Sequence, residues 1–473
     1  MKKKVPRFVE QSLARIASFY NFEPVHSLEK IDDSLTPNMR ALRLTMTIAE
    51  QLLSMGVVAH DVVRLSLGIT ETYCRRPVHM DVCYTLITIS QDRGVDREPL
   101  TMIRVMVPDY ANYQQIQALQ SLALEIRNKH LPLHIAEQRV EKILSQPKRH
   151  SPLVICASGG LISAGVIVMY DGDLLMIGLS FIMGFVATIV LRWLWRVGMT
   201  TFYSQASAAL FATLAAAGIA WANMYGLRMD INATLLVISG IVLLVAGLMT
   251  VGAFQDAIDE FYITANARLL KVIMATGGIV VGVVIGLYVA TKFGITFPAT
   301  PDRLSLADKH LQYLGALIVA AAFAVGNHAR WSGLIVSGLI GVFGWWISRL
   351  LLIAGFDVVV SSGIAATVIG LMAVLTSRLW RFPSMAIIAA GIVPLVPGLS
   401  LYNGLMGVVL HPPSDPLFMT ALAILMRAVM IGLAVAAGAS LGNMTGRPIR
   451  RQIIRIFQRR MAADNTNGAD SGA

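Results

Sequence analysis

Hydrophobic stretches long enough to cross a lipid bilayer follow one another from Pro152 onward. About 20 apolar residues in a helix span the hydrocarbon core. Ten segments approach or exceed that length: residues 152–169, 174–191, 201–222, 232–252, 270–290, 311–327, 332–352, 357–376, 383–403 and 417–441. Only 23 of the 291 residues from 152 to 442 are charged. The sequence therefore predicts an α-helical polytopic membrane protein with ten transmembrane helices, and excludes a soluble fold for the whole chain.

The basic residues in the short loops predict the orientation of these segments, because cytoplasmic loops carry an excess of Lys and Arg. With the N-terminal region in the cytoplasm, 13 Lys and Arg fall on the inner side and 5 on the outer side. We therefore expect both termini in the cytoplasm. This bias also accounts for the net charge of +11, so no nucleic-acid partner is predicted.

Composition divides the rest of the chain into domains. Residues 1–40 predict a flexible N-terminal segment, and residues 41–147 a small cytoplasmic α+β domain. In that domain we expect helices over 42–55, 62–73, 113–128 and 134–144, and strands over 82–90 and 101–107. Residues 148–309 and 310–445 predict two membrane repeats of five helices each. Residues 446–473 predict a tail that is first basic and then disordered.

An internal repeat relates the two membrane regions. The fourth segment contains Gly-Ile-Val-Leu-Leu-Val-Ala-Gly at 240–247, and the ninth contains Gly-Ile-Val-Pro-Leu-Val-Pro-Gly at 391–398. Six of the eight letters match, 151 residues apart. Because five spans per half is an odd number, duplicated halves would have opposite orientations. The pattern predicts an inverted repeat, which is typical of secondary transporters with a site between the halves.

The ninth segment carries the strongest candidate binding residues. Pro394, Pro397 and Gly398 interrupt a helix near its middle, and Tyr402 and Asn403 follow. Each proline removes a backbone donor, and non-helical backbone at such a depth is tolerated only where it faces protein or a water-filled cavity. The freed groups could bind an amino acid or an ion. The alternative is a kinked helix with a purely structural role.

Four polar residues of the eighth and tenth segments join this candidate site. Arg427 lies about ten residues into the last segment, a depth at which a charge is expensive, so it could hold a substrate carboxylate. Asp357 opens the eighth segment as a candidate gate or proton site, and Ser361 and Ser362 follow as hydrogen-bonding groups. The alternatives are a structural ion pair for Arg427 and an interfacial helix start for Asp357.

A charged group at the inner end of segments four and five is the second candidate. Asp256 and Glu260 are four residues apart and would share a helix face, with Arg268 close by. Proton coupling or gating is the functional interpretation, and an ordinary charged loop is the alternative. His328 lies at another inner loop, where we expect it to be solvated.

Enzymatic motifs are absent from the sequence. There is no GxSxG, HExxH, P-loop or GxGxxG in a suitable context. Cys74, Cys83 and Cys156 lack the spacing of a metal site or a disulfide framework. We therefore expect no enzyme, no cofactor and no metal.

Three motifs resemble the threonine/serine exporter family in its fused form. Val-Pro-Gly-Leu-Ser-Leu-Tyr-Asn-Gly at 396–404 resembles the Val-Pro-Gly…Tyr signature of the family's second half. Val-Gly-Ala-Phe-Gln-Asp-Ala-Ile-Asp-Glu at 251–260, followed by Arg268, is similar to its Asp…Arg loop, although the family usually has glycine where this chain has Glu260. The residues at 84–90 and 99–104 are similar to the family's soluble domain.

The resemblance implies a multi-pass protein of the bacterial inner membrane with ten helices and a cytoplasmic N-terminal domain. It implies export of small amino acids, threonine and serine, by an antiporter driven by the proton motive force. The partners would be the amino acid, protons and the lipid bilayer; a homo-oligomer stays open. An exporter of small dicarboxylates, or a channel on the same scaffold, is the alternative. A membrane enzyme or sensor that uses the soluble domain is the third.

The predicted orientation can be tested by cysteine labelling. A cysteine introduced at His411 should react with a membrane-impermeant maleimide added to intact cells, and one at Trp380 should not. The native cysteines are first replaced by serine, and labelling of permeabilised cells checks that both sites react. Labelling at position 380 in intact cells would contradict ten spans.

Overall fold

A computed structural model describes residues 36–470, except 96, 148, 224–231, 243, 245–246, 296–305, 378–381, 397, 399, 401–402, 405–406 and 409–410. The described residues form two compact units. The first holds the residues up to Tyr110, with Ala118–Pro147 and Arg196–Met199. The second holds Ala111–Gln117, Lys148–Trp195 and the chain from Thr200 onward.

The first unit contains a three-stranded antiparallel sheet and helices. Its elements are α1 Pro37–Ser54, α2 Ala59–Tyr73, β1 Val78–Cys83, β2 Leu86–Gln91, β3 Leu100–Val105, the part of α3 Tyr113–Lys129 from Ala118 onward, and α4 Leu133–Leu144. The strand order is β1-β2-β3. The side chain of Thr36 caps α1 by accepting a hydrogen bond from the Met39 amide, and Pro37 occupies the first turn, where no amide donor is needed.

Polar contacts join the elements of this unit. The Arg40 guanidinium lies 2.6 Å from the Glu137 carboxylate, and Arg104 lies 2.9 Å from Glu50. Burial and the nearby Glu137 carboxylate raise the pKa of Tyr73 to about 12. The Tyr73 hydroxyl therefore stays protonated at neutral pH and donates to the Leu131 carbonyl at 2.6 Å.

The strand predicted over 82–90 is wrong, because a hairpin turn divides it. Leu86 pairs with Cys83 across the turn, and Val78 pairs with Gln91 at the other end. Tyr84 supplies the turn with a φ of +56°, a conformation usually left to glycine or asparagine. Since Tyr84-Thr85 carries no turn-forming residue, the periodicity of the sequence gave no sign of the break.

The second unit is helical, and eight of its described helices are long and apolar enough to cross a membrane. They are α5 Pro152–Met169, α6 Leu174–Arg196, α7 Thr201–Ala222, α10 Tyr262–Lys292, α11 Lys309–Gly326, α12 Trp331–Ile353, α13 Val358–Thr376 and the first part of α15 Pro416–Asp470. The chain is therefore a polytopic helical protein.

The last helix is longer than the sequence predicts. It continues from the apolar stretch to Asp470, where the sequence predicts a basic tail from residue 446 that becomes disordered at its end. The residues beyond Pro448 include several Arg, Ile and Ala and two Gln, and Arg, Ala and Gln favour helix. The polarity of these residues therefore gave a wrong prediction, because a polar stretch can still be helical.

The fourth and ninth hydrophobic segments are interrupted rather than continuous. The fourth forms α8 Ala233–Val242 and α9 Gly247–Ile258. The ninth forms α14 Ser384–Ile392, followed by a 3-10 turn at Val393–Leu395. These short helices account for the difference between ten predicted spans and the eight long helices among the described residues.

Glycines pack two pairs of helices closely, in the same way in both halves. A side chain at any of these glycines would meet the facing helix. On α10, Gly278 and Gly282 face the backbone of α7, and Gly286 faces Thr213. On α15, Gly438 and Gly442 face α13, and Gly446 faces Val374. The facing residues are Phe202, Ala206, Leu210 and Thr213 on α7, and Gly363, Thr367, Leu371 and Val374 on α13.

The two glycine sets share one spacing. Each glycine of the second set lies 160 residues after its counterpart, and each facing residue lies 161 residues after its own. Both helix pairs are parallel, because later glycines face later residues. Small residues at every fourth position let helices approach closely in a membrane, where packing replaces the hydrophobic effect.

Helices α5 and α11 pack against each other in antiparallel fashion. Gly165 and Gly315 face each other with their backbones close, and Gly326, at the end of α11, faces Ser158 near the start of α5. Met169, at the end of α5, contacts Gly315 near the start of α11. The first helix of each membrane region thus contacts the other.

Alanine substitutions test the glycine contacts. Gly282→Ala and Gly442→Ala should each destabilise the protein by about 1–3 kcal/mol, because a methyl group would overlap the facing backbone. The control is Gly218→Ala, since a side chain there meets nothing within 4 Å. Thermal unfolding in detergent, followed by tryptophan fluorescence, should show a lower midpoint for the first two variants only. Equal midpoints for all three would contradict close packing.

Candidate functional site

The ninth segment breaks at Pro394. Because proline lacks an amide hydrogen, the Ala390 carbonyl receives its hydrogen bond from the Val393 amide, which tightens the chain into the 3-10 turn. Two hydrogen bonds between residues close in sequence follow. The Val396 amide donates to the Val393 carbonyl at 3.2 Å, and the Gly398 amide donates to the Val396 carbonyl at 2.8 Å. Local contacts thus replace the regular helical ladder over this stretch.

The predicted site residues of this segment are partly described. Pro394 is half-buried and Gly398 is buried. The Asn403 side-chain oxygen is buried with no hydrogen-bond partner in the structure. Pro397 and Tyr402 lie outside the described residues.

The fourth segment breaks within the same motif. Helix α8 ends at Val242 and α14 ends at Ile392. The aligned motifs begin at Gly240 and Gly391, so the two helix ends fall within one residue of each other in the alignment. The repeat identified in the sequence is therefore also a repeat of backbone interruption.

The crossing of α5 and α11 lies beside the break in the ninth segment. Val393 packs against a cluster of Ile162 and Val166 from α5 and Val319 and Ala322 from α11. A side chain at Gly341 on α12 would meet Ala320 of α11 and lie near the Pro394 ring. Non-helical backbone is thus surrounded by protein, as a bilayer requires.

Arg427 and Asp357 form an ion pair at the start of α13. The Arg427 guanidinium lies 2.7 Å from the Asp357 carboxylate, and about half of each side chain is exposed. Asp357 also caps α13 by accepting from the Val359 amide at 2.9 Å. Arg427 therefore lies beside a helix end.

The mid-membrane depth expected for Arg427 stays a prediction. The apolar part of α15 runs over 31 residues, or about 46 Å at 1.5 Å per residue, so this helix is longer than the bilayer core of about 30 Å that it has to cross. Ser361 and Ser362 lie one turn further along α13 and are buried, and the Ser361 hydroxyl has no partner.

Asp256 and Arg268 form a buried ion pair between α9 and α10. Their side chains are 2.8 Å apart, with Asp256 fully buried and Arg268 13% exposed. An ion pair this deeply buried is costly to break by removing one partner. It ties α9 to the first turns of α10.

Glu260 does not share a helix face with Asp256, so that prediction is wrong. Helix α9 ends at Ile258, and Glu260 takes a φ of +68°. The Phe261 amide donates to the Asp256 carbonyl and the Glu260 amide to the Ala257 carbonyl, which is a Schellman ending. This is the position at which the resembled family has glycine, so the turn is kept without it.

His328 is buried, with 3% exposure, and the prediction that it is solvated is wrong. It ends α11 with a φ of +59°, and the Ala329 amide donates to the Ala324 carbonyl across it. Its Nδ1 accepts a hydrogen bond from the His150 amide at 3.3 Å. The residue therefore closes a helix instead of facing water.

An open groove of about 470 Å³ lies between α9, α13 and α15. It is lined by apolar side chains, among them Phe254, Ile258, Val359, Met430 and Leu433. None of the predicted polar site residues lines it. A groove of this composition suits lipid chains better than a zwitterion.

Comparison with known proteins gives consistent matches over both halves of the chain. The family model described as "Putative threonine/serine exporter" matches residues 43–290, and the one described as "Threonine/Serine exporter, ThrE" matches residues 312–444. The chain is 28% identical over 415 residues to the "Threonine/serine exporter" of Corynebacterium glutamicum, covering 87% of this chain and 83% of that protein. It is 28% identical over 437 residues to the "Probable threonine/serine exporter" of Mycobacterium tuberculosis, covering 90% and 80%. No solved structure matches the chain.

Substitution of Glu260 tests whether it serves the turn. Glu260→Gly should stabilise the protein by about 1 kcal/mol, because glycine adopts the left-handed conformation without steric cost. Glu260→Ala is the control, since it removes the carboxylate but keeps the strain. A higher unfolding midpoint for glycine alone is expected. Equal midpoints for both variants would contradict the strain argument.

Proposed function

Because the chain belongs to the threonine/serine exporter family, we propose that it exports threonine and serine across the bacterial cell membrane as a proton-coupled antiporter. The broader assignment to a multi-pass transporter follows from the family and from the apolar helices. Relatives that match most of the chain carry that name.

The proposed architecture is an inverted repeat of five spans in each half, with the N-terminal domain in the cytoplasm. The equivalent glycine contacts of α7 with α10 and of α13 with α15 support the duplication. The antiparallel packing of α5 and α11 supports the inversion, because equivalent helices that run in opposite directions require a twofold axis across them. In this proposal the two interrupted segments are the fourth and ninth spans, and with the eight long helices they make ten.

The paired helix breaks are the observation that carries the proposal. Interrupted helices expose amide and carbonyl groups that can bind the carboxylate and the ammonium group of an amino acid. Both breaks fall in one repeated motif, and the break at Pro394 packs beside the contact of α5 with α11. A substrate held there would lie between the halves.

The predicted site residues keep distinct roles in this proposal. The backbone around Pro394, Pro397 and Gly398 binds the zwitterion, with Tyr402, Asn403, Ser361 and Ser362 as hydrogen-bonding groups. The Arg427–Asp357 pair acts as a gate that opens when Arg427 takes the substrate carboxylate. Asp256 and Arg268 serve proton coupling at the other face; Glu260 serves the turn.

A dicarboxylate exporter or channel is the second candidate, but the arginine contacts favour an amino acid. A dicarboxylate needs two cationic groups, whereas Arg268 is held in a buried pair and the half-exposed pair of Arg427 supplies one. For an enzyme, the described part of the N-terminal unit offers no constellation of nucleophile and base. In it Arg104 pairs with Glu50 and Ser90 bonds Thr101.

Transport by the purified protein tests this function. In proteoliposomes we expect a pH gradient to drive transport of threonine and serine, and not of succinate. Liposomes with the gradient dissipated by a protonophore are the control. Succinate transport without threonine transport would replace the first candidate by the second.

Variants test the site residues. Arg427→Ala and Pro397→Ala should abolish export while the protein still reaches the membrane, whereas Tyr402→Phe should weaken it less, since one hydrogen bond nets about 0.5–1.5 kcal/mol. An exposed ion pair contributes about 0–1 kcal/mol to stability, so Arg427→Ala should remain folded.

The matched control for Arg427→Ala is Arg349→Ala, an arginine near the end of α12. The reversed pair Asp357→Arg with Arg427→Asp separates the two roles of Arg427. If the reversed pair restores export, Arg427 serves only in an ion pair with Asp357. If export stays lost, Arg427 binds the substrate carboxylate. Wild-type rates in Arg427→Ala and Pro397→Ala would remove the site from these segments.

A further inference from the structure

Two serines occupy equivalent positions in the two halves. Ser180 in α6 and Ser337 in α12 are 157 residues apart, and at the same offset Gly184 matches Gly341 and Arg192 matches Arg349. Both helices thus read Ser, then Gly four residues later, then Arg eight residues after that. This second repeat is independent of the motif in the broken segments.

Both serine hydroxyls are buried without a hydrogen-bond partner. Ser180 and Ser337 have no exposed surface, and neither hydroxyl is bonded. Several buried hydroxyls in this unit do donate to a carbonyl of their own helix, such as Ser239 to Leu236 at 2.9 Å and Thr188 to Gly184 at 2.7 Å. A buried hydroxyl that forgoes this bond is costly, and such groups call for an explanation.

Each serine lies one helical turn from the neighbourhood of a break. Gly341 follows Ser337 by one turn and lies against Pro394 and Ala320. In the first half, Gly184 faces Ser163 of α5, whose hydroxyl is also buried and unbonded. Met183 contacts Gly240, the first residue of the repeated motif in the fourth segment.

We propose that Ser180 and Ser337 are specificity residues that hydrogen-bond the side-chain hydroxyl of the transported amino acid, one serine from each half. The inference rests on the proposed function. A serine hydroxyl both donates and accepts, as does the hydroxyl of threonine or serine. Buried apolar residues lie about one turn from each serine on its own helix, Met176 and Met183 beside Ser180 and Ile340 beside Ser337, which suits a neutral hydroxyl better than an ammonium or carboxylate group.

A comparison of threonine with valine tests the proposal, because valine replaces the hydroxyl by a methyl group of similar size. Efflux of each amino acid is measured from proteoliposomes containing wild type, Ser180→Ala, Ser337→Ala or the double variant. Each serine lost should raise the KM for threonine about two- to tenfold, as expected for one hydrogen bond, and leave valine transport unchanged. Unfolding midpoints should not fall, because no intramolecular bond is removed.

Ser239→Ala is the matched control, since it removes a buried hydroxyl that is already bonded to its own helix. It should leave the ratio of threonine to valine transport unchanged. An unchanged ratio in the double variant, or an equal fall in Ser239→Ala, would overturn the proposal. If a Ser→Ala variant unfolds, Ser→Cys at the same position retains the volume and repeats the test.

A binding measurement separates this proposal from the proposed function. Threonine should raise the unfolding midpoint of the purified wild type more than valine does at the same concentration, and the double variant should lose this difference. If the wild type exports threonine and the double variant behaves identically, the role of the two serines is refuted and the proposed function stands. If the wild type neither transports threonine nor is stabilised by it, both proposals are refuted.

Discussion

The absence of water in a bilayer core governs this structure. Every amide and carbonyl there must find a partner within the protein, which is why hydrophobic segments form continuous helices. The chain departs from this rule in the fourth and ninth segments. At Pro394 a 3-10 turn and short local bonds satisfy part of the backbone, and packing against α5 and α11 shields it from lipid. At Pro394, the departure from a regular helix therefore lies against other helices of the protein.

Most helix bounds follow from hydropathy, because a span is defined by a length of apolar residues. The segments predicted at 152–169 and 201–222 coincide with α5 and α7. What hydropathy misses is backbone conformation at single residues. Tyr84, Glu260 and His328 all adopt positive φ, yet none is the glycine or asparagine that would indicate it. In each case hydrogen bonds around the turn impose the conformation.

The candidate site was predictable in its residue types but not in its contacts. Prolines and a glycine inside an apolar stretch identified the break, since proline cannot continue the ladder. The partner of Arg427 was not predictable, because it lies on another helix, 70 positions away. The sequence alone did not identify Ser180 and Ser337 as candidate site residues. Their significance comes from burial without a partner, which only the packed structure reveals.

The glycine contacts have a mechanical consequence. Where backbones touch, neither helix can slide or rotate without collision. Each of the two pairs, α7 with α10 and α13 with α15, therefore behaves as one rigid body. The α5–α11 contact is smaller, and it joins the two halves across Gly165 and Gly315. Motion between the halves would then concentrate at the α5–α11 contact, while each rigid helix pair moves as a unit. The break at Pro394, beside this contact, would lie where small rotations between the halves change the access of water most.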